Sequence, residues 1–251
     1  MKAVESPESK VESPGTARVS AKEGYELWAA TYDKDLNPLL ALEERELHPM
    51  LPELRHKDAL DIGCGTGRWL STLINLGVRS VIGVDASPEM ILRARAKQSL
   101  RGRLVLADTC ALPFRPQSAD VMVCSFTIGH VFNIGALASE LARVARPGAD
   151  VFVTDMHPAA RAQGWRCAFR CAERTVEIET FVHAMPDLLG SFEHERFRLV
   201  KSGDFRLGEP ERGIFRAAGR HAIFEKARAT PAVLVLHFRL TGYGSSTHPI
   251  E

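Results

Sequence analysis

The stretch that decides the reading is Ala59-Leu60-Asp61-Ile62-Gly63-Cys64-Gly65-Thr66-Gly67, followed by Arg68-Trp69-Leu70-Ser71-Thr72-Leu73-Ile74. An apolar run enters an acid. Glycine then takes every second position, at Gly63, Gly65 and Gly67. A run of helical character comes next. The pattern reads as a strand ending, a tight turn and a helix beginning. Glycine suits such a turn because it tolerates positive φ and lets a ligand approach the backbone. The first turn of a helix leaves N–H groups free and carries partial positive charge, so an anionic group is favoured there.

The spacing is D-x-G-x-G-x-G. A dinucleotide fingerprint requires G-x-G-x-x-G. Counting from Gly63, the sixth position is Arg68, so that fingerprint fails. The chain beyond the loop has a regular order. Val81 to Ser87 is an apolar strand ending in Asp85, and an acid so placed can accept hydrogen bonds from both hydroxyls of a ribose. Ser87 is a good N-cap, with Pro88 at the first helical position. Leu104 to Phe114 reads as a third strand ending in Asp108, Ala119 to Val131 as a fourth strand running into a loop, and Leu141 to Pro158 as a helix, a Pro-Gly break and a fifth strand. Strand–helix alternation from about 58 to 156 predicts a parallel, doubly wound α/β sheet with its ligand at the carboxyl ends of the strands. Asp61, Asp85, Asp108 and the loop after Ser125 all fall at such ends.

These motifs, in this order, resemble those of the class I S-adenosylmethionine (SAM) dependent methyltransferases. The type 11 group related to the quinone- and biotin-synthesis methyltransferases is the nearest subgroup, and Trp28-Ala29-Ala30-Thr31-Tyr32-Asp33 supports that placement. The resemblance covers about residues 58–158, and more loosely the chain after residue 24. It implies a Rossmann-like methyltransferase fold: a mostly parallel seven-stranded sheet with an antiparallel C-terminal edge. It also implies SAM as cofactor. The loop Asp61, Gly63, Cys64, Gly65 and Gly67 would approach the methionyl part. Asp85 with Ala86 would hold ribose, Met90 would cover adenine, and Asp108 with Thr109 would meet the adenine amino group. Phe126, Tyr25 and Tyr32 complete the implied cofactor set. Asp61 is expected to act mainly by holding loop amides, and Asp108 is equally a candidate helix cap. Tyr25, Trp28 and Tyr32 have near-helical spacing, which suits a plain core stripe; in the resembled family such a segment is a lid.

The corresponding division is a disordered tail over 1–20, a helical lid over 21–57, a SAM-binding core over 58–156, a substrate-pocket insertion over 157–184, a C-terminal completion of the sheet over 185–241, and a loose tail over 242–251. The tail 1–20 is rich in Ser, Pro, Glu and Lys, lacks apolar periodicity, and is expected to be dispensable. Beyond 157 the pattern predicts a half-exposed strand over 174–184, a helix over 185–195, a strand within 196–207, a helical stretch broken near Gly213 and Gly219, and a strand over 231–240.

Composition sets outer bounds. The chain has 251 residues and a hydrophobic fraction of 45%, ordinary for a domain with a real core. A net charge of +1 offers no electrostatic case for nucleic acid or an acidic membrane. No apolar run is long enough to span a bilayer, and the N-terminus has no secretory h-region. Five cysteines form no evident disulfide framework, which suggests reduced thiols in a cytoplasm. Cys167 and Cys171 lack a second pair at metal-ligand spacing, so no metal is expected.

Methyl transfer from a sulfonium is chiefly a positioning task. A base is needed only where the nucleophile must lose a proton. His130, after the fourth strand, and His157, after the fifth, are the candidate catalytic bases; each is also readable as a packing or turn residue, and His183 ranks below both. Trp165 and Arg166 are candidate acceptor contacts or plain surface residues. The expected function is methyl transfer to a small-molecule acceptor at oxygen, carbon or nitrogen, by a cytoplasmic monomer or homodimer. The alternatives are a SAM-binding protein without turnover and an NAD-dependent oxidoreductase.

Overall fold

The computed structural model describes residues 16–34 and 36–242. Strand β1 (Thr16–Val19) leads into helix α1 (Ala21–Trp28), whose first turn is capped by Ser20. Helix α2 (Pro38–Leu47) begins with Asn37 as cap and Pro38 in its first turn. The cap satisfies a free amide and the proline presets φ. Strands and helices then alternate: β2 (Asp58–Ile62), α3 (Arg68–Asn75), β3 (Ser80–Asp85), α4 (Pro88–Ala96), β4 (Leu104–Leu106), β5 (Ala119–Ser125), α5 (Ile134–Val144) and β6 (Ala145–Met156). The remainder comprises α6 (Pro158–Ala162), β7 (Ala168–Cys171), β8 (Arg174–Ile178), α7 (Met185–His194), β9 (Phe197–Phe205), α8 (Glu209–Ala217), α9 (His221–Arg228) and β10 (Val233–Leu240).

Seven strands form one sheet in the order β4-β3-β2-β5-β6-β10-β9. The first five are mutually parallel, and β10 pairs antiparallel with both β6 and β9. Strands buried on both faces read as continuous apolar runs, as Val121-Met122-Val123-Cys124 does. One face packs against α5 and α7, around Leu137, Leu141, Phe192 and Phe238. The other packs against α2, α3, α8 and α9, around Leu42, Trp69, Leu70 and Phe224. Each such buried side chain contributes about 1.5–3 kcal/mol. Strand order reverses between β2 and β5, so a crevice opens at their carboxyl ends. The glycine loop and the turn after β5 border that crevice.

A second, three-stranded sheet has the order β1-β8-β7. Its β1 runs parallel to β8, with Thr16 opposite Thr175 and Val19 opposite Ile178. It has its own small core, in which Trp28 stacks on Phe169 at 4.7 Å. Helix α1 lies so close that a Cβ at Gly24 would meet Ile178 at 2.5 Å.

This arrangement corrects part of the sequence reading. Residues 16–19 belong to a strand rather than to a disordered tail, because β8, more than a hundred residues away, supplies the hydrogen-bonding partner. The tails expected over 1–15 and 243–251 lie outside the described residues. The third strand is shorter than expected: β4 ends at Leu106, two residues before Asp108. The strand expected over 174–184 ends at Ile178. Helix α8 continues through Gly213, and the break falls at Gly219, whose φ is +67°. Among the described residues, no helix is long and apolar enough to cross a membrane.

Candidate functional site

The turn after β2 is built as its glycines foretell. Gly63 and Gly65 have φ of +70° and +54°. The Gly63 and Cys64 amides both donate to the Val84 carbonyl, at 2.8 and 2.9 Å, which pins the loop to β3. A Cβ at Gly63 would lie 2.2 Å from Thr127 Oγ1, whereas one at Gly65 would meet nothing within 4 Å. The loop is therefore braced beneath Gly63 and bare at Gly65. Gly67, at φ +84°, is the N-cap of α3.

Asp85 closes β3 beside this loop. Its Oδ2 accepts the Gly65 amide at 2.7 Å and its Oδ1 the Ser87 amide at 2.8 Å. Each oxygen retains capacity for a further donor. Burial raises its pKa, against the pull of those amides. Ala86 is exposed at the same rim, whereas Met90 is fully buried in α4. Asp108 is exposed and accepts the Cys110 amide at 2.8 Å, the geometry of a turn cap; Thr109 beside it is buried.

Asp61 is the most unusual group here. It is buried to 1% exposure, its Oδ2 has no hydrogen-bond partner, and burial pushes its pKa up to about 7 despite the nearby Arg68 charge. Cys64 is buried too, and its thiol is pushed up by burial. Two residues that the sequence did not single out complete this wall. Arg68 Nη2 donates to Glu43 Oε2 at 2.5 Å and to Ser125 Oγ at 2.9 Å, while its Nη1 makes no hydrogen bond. Glu43 is wholly buried and also accepts from Trp69 Nε1 and Thr154 Oγ1. Arg68 follows the glycine triplet directly, which was a usable signal. Glu43 sits in the Glu43-Glu44-Arg45-Glu46 run and looks like a solvated helix face until α2 packs on the sheet.

The aromatic residues of α1 and the turn after it lie against the same rim. Tyr25, Trp28 and Tyr32 cluster, with Tyr25 and Trp28 rings 6.2 Å apart. Tyr25 Oη lies 2.8 Å from His130 Nε2. Burial raises the Tyr25 hydroxyl well above its ordinary pKa and pushes Tyr32 to about 12, so both stay protonated. Asp33 accepts from Thr66 Oγ1 at 2.5 Å and pairs with Lys97 at 2.8 Å, tying the chain after α1 to the glycine loop.

The candidate bases part company. His130 sits in the turn after β5, against Tyr25. Burial and the Arg161 charge push its pKa down to about 4, and its Nδ1 has no partner within hydrogen-bond geometry. His157 turns away from this cluster. Its Nδ1 accepts the Ala159 amide at 3.0 Å, capping α6, and its Nε2 lies 3.1 Å from Asp204. His183 Nε2 lies 2.9 Å from the Val131 carbonyl and so fastens the turn. Phe126, next to β5, adopts φ +50°, uncommon for an aromatic residue. Trp165 packs against the α2–α3 core, as Phe126 does, and Arg166 lies 3.8 Å from Glu177 and donates to the Arg161 carbonyl at 3.1 Å. Beside His130, Arg161 and Asp155 form a buried pair at 3.0 Å that lines a crevice of about 20 Å³. Phe132 and Phe181 stand exposed in the adjoining loops, with rings 5.3 Å apart. Among the described residues, no group of His, Cys, Asp and Glu side chains is arranged to hold a metal ion.

The chain is similar to known proteins in sequence and in fold. Residues 60–153 match a family profile described as a methyltransferase domain. The chain is 30% identical over 154 residues to the biotin biosynthesis bifunctional protein BioHC of Cellvibrio japonicus, covering 61% of this chain and 30% of that one. It is 36% identical over 113 residues to the demethylmenaquinone methyltransferase of Roseiflexus sp. strain RS-1, covering 43% of this chain and 48% of that one. The chain thus spans less than half the length of these two curated relatives. Its fold is similar to that of an S-adenosylmethionine-dependent methyltransferase from Mesorhizobium loti, with TM-score 0.64 and 20% identity, covering 81% of this chain and all of that one.

Proposed function

We propose that this protein, whose residues 60–153 form a domain of the SAM-dependent methyltransferase family, moves the methyl group of SAM to a small-molecule acceptor. One observation carries the reading: the glycine loop, bare at Gly65 and braced by Asp85, lies at the point where strand order reverses. The residues present suit this cofactor. SAM supplies an electrophilic methyl on a cationic sulfur and also carries a cationic amino group. A buried acid with an unpaired oxygen, Asp61, suits a cationic partner. The spare lone pairs of Asp85 suit hydroxyl donors. Neither feature calls for a pyrophosphate.

His130 is assigned to positioning. With its pKa near 4 it is neutral and a weak base at pH 7, and its Nε2 is engaged by the lid hydroxyl of Tyr25. His157 is assigned to capping, since both ring nitrogens have partners outside the rim cluster. Catalysis then rests on orientation and exclusion of water beneath the lid. Such a site favours an acceptor that arrives already nucleophilic, as an amine, a thiolate or an activated carbon, over an alcohol that must be deprotonated.

The test is titration calorimetry with SAM, its demethylated product and NAD, and then transfer of labelled methyl to a metabolite panel, with a protein acceptor as comparison. SAM binding and labelled small molecules are expected. Binding of NAD without SAM would overturn the cofactor. Binding of SAM with transfer only to protein would overturn the acceptor class.

A further inference from the structure

The strained residue Phe126 shapes the residue after it. Strand β5 stops at Ser125, and Phe126 reverses the chain at φ +50° while its amide is held by the Thr154 carbonyl at 3.0 Å. The reversal turns Thr127 back under the glycine loop. Thr127 Oγ1 lies 3.0 Å from both the Ile62 and the Ser125 carbonyls. Its hydroxyl and methyl fill the space that a side chain at Gly63 would need, 2.2 and 2.6 Å from the position of a Cβ. The main chain of the same residue holds the next turn: the Thr127 carbonyl accepts the His130 amide at 2.9 Å and closes the turn that carries His130. Thr127 is buried at 9% exposure.

One residue thus braces the cofactor loop with its side chain and the acceptor-side turn with its backbone. We propose that Thr127 is a positioning residue that sets the glycine loop against the turn bearing His130, and so sets SAM against its acceptor. This rests on the SAM reading of the site. A valine here keeps the shape and loses the O–H donor, leaving the Ile62 carbonyl without it. A serine keeps the donor.

The experiment compares Thr127→Val and Thr127→Ser with the unaltered protein. The readouts are SAM affinity by calorimetry, Tm, and amide exchange at Gly63 in the ligand-free protein. Expected are SAM binding about tenfold weaker in T127V, the equivalent of about 1.4 kcal/mol, recovery to within about twofold in T127S, and faster exchange at Gly63 in T127V alone. Tm should fall by a few degrees in T127V, which loses a buried hydrogen bond, and by no more than that in T127S. Equal SAM affinity in T127V and the unaltered protein overturns the proposal. So does parallel loss of affinity and Tm in both variants, which is the mark of a merely structural side chain. Absence of SAM binding in the unaltered protein overturns the cofactor reading and the consequence drawn from it, while exchange at Gly63 still shows whether the brace exists.

Discussion

Asp61 carries the sharpest electrostatic consequence at the scale of single residues. Its ordinary pKa of 3.8 is raised to about 7 by burial, so the folded chain holds that proton more tightly than the unfolded chain. Stability from this group is therefore present at low pH and is lost as pH rises through that interval. Asp61→Asn should remove the slope. The variant should match the unaltered protein at pH near 4 and exceed it in stability above pH about 7, as read by urea unfolding across pH. With SAM present the sign reverses: ionised Asp61 suits a cationic ligand, so affinity should climb as pH rises through about 7, and D61N should flatten that climb. An affinity that ignores pH in the unaltered protein would sever Asp61 from the ligand. His157 makes the opposite prediction. Its Nδ1 caps α6, so His157→Ala should lower stability by about 1 kcal/mol. Turnover, measured on whichever acceptor the panel identifies, should stay within about twofold of the unaltered protein, well short of the hundredfold or more expected for a true base.

At the scale of elements, the small sheet changes how the N-terminus is understood. Strand β1 pairs with β8, and α1 rests on both, so this small unit is made from two segments distant in sequence. Its order also rests on contacts across to the main domain, Tyr25 to His130 and Asp33 to Thr66. A chain beginning at Ala21 loses β1 and leaves β8 with a free edge. The main sheet should keep its far-ultraviolet spectrum and unfold cooperatively. Amides of β7 and β8 should exchange faster, and SAM should bind about tenfold more weakly, a cost near 1.4 kcal/mol. Unchanged exchange in β8 and unchanged affinity would show that β1 is ornamental and would restore the simple view of a dispensable tail.

The described chain packs helices on both faces of its seven-stranded sheet, beside the small three-stranded one, with the proposed ligand at the strand-order reversal. A ligand that binds only the folded state stabilises it by mass action, about 2.7 kcal/mol at a concentration one hundred times its Kd. For a chain of 251 residues each kcal/mol moves Tm by about 2–4 °C, so SAM at that concentration should raise Tm by about 5–10 °C. NAD at equal concentration should leave it unmoved. The shift should be smaller in the chain lacking β1, because the segment that holds Tyr25 and Asp33 against the rim is then less well anchored.

Much of this was written locally along the chain. The glycine loop, the apolar strands β2, β3, β5 and β6, the Ser87-Pro88 helix start and the acids Asp61 and Asp85 are read from adjacent residues, because turn chemistry and strand periodicity act over a few positions. Other features arose only in three dimensions. Pairing of β1 with β8 required a distant partner to satisfy its backbone groups. Glu43 looked like surface charge until α2 buried it against Arg68, Trp69 and Thr154. His130 and His157 looked equivalent, each following a strand, until packing gave one a tyrosine hydroxyl and the other an exposed acid. Sequence alone determined where the loop lies and what backbone it needs, since glycine and capping preferences are properties of the residues themselves. Tertiary structure alone decided which polar groups were left buried and unpaired, since desolvation and partnership depend on everything packed around them.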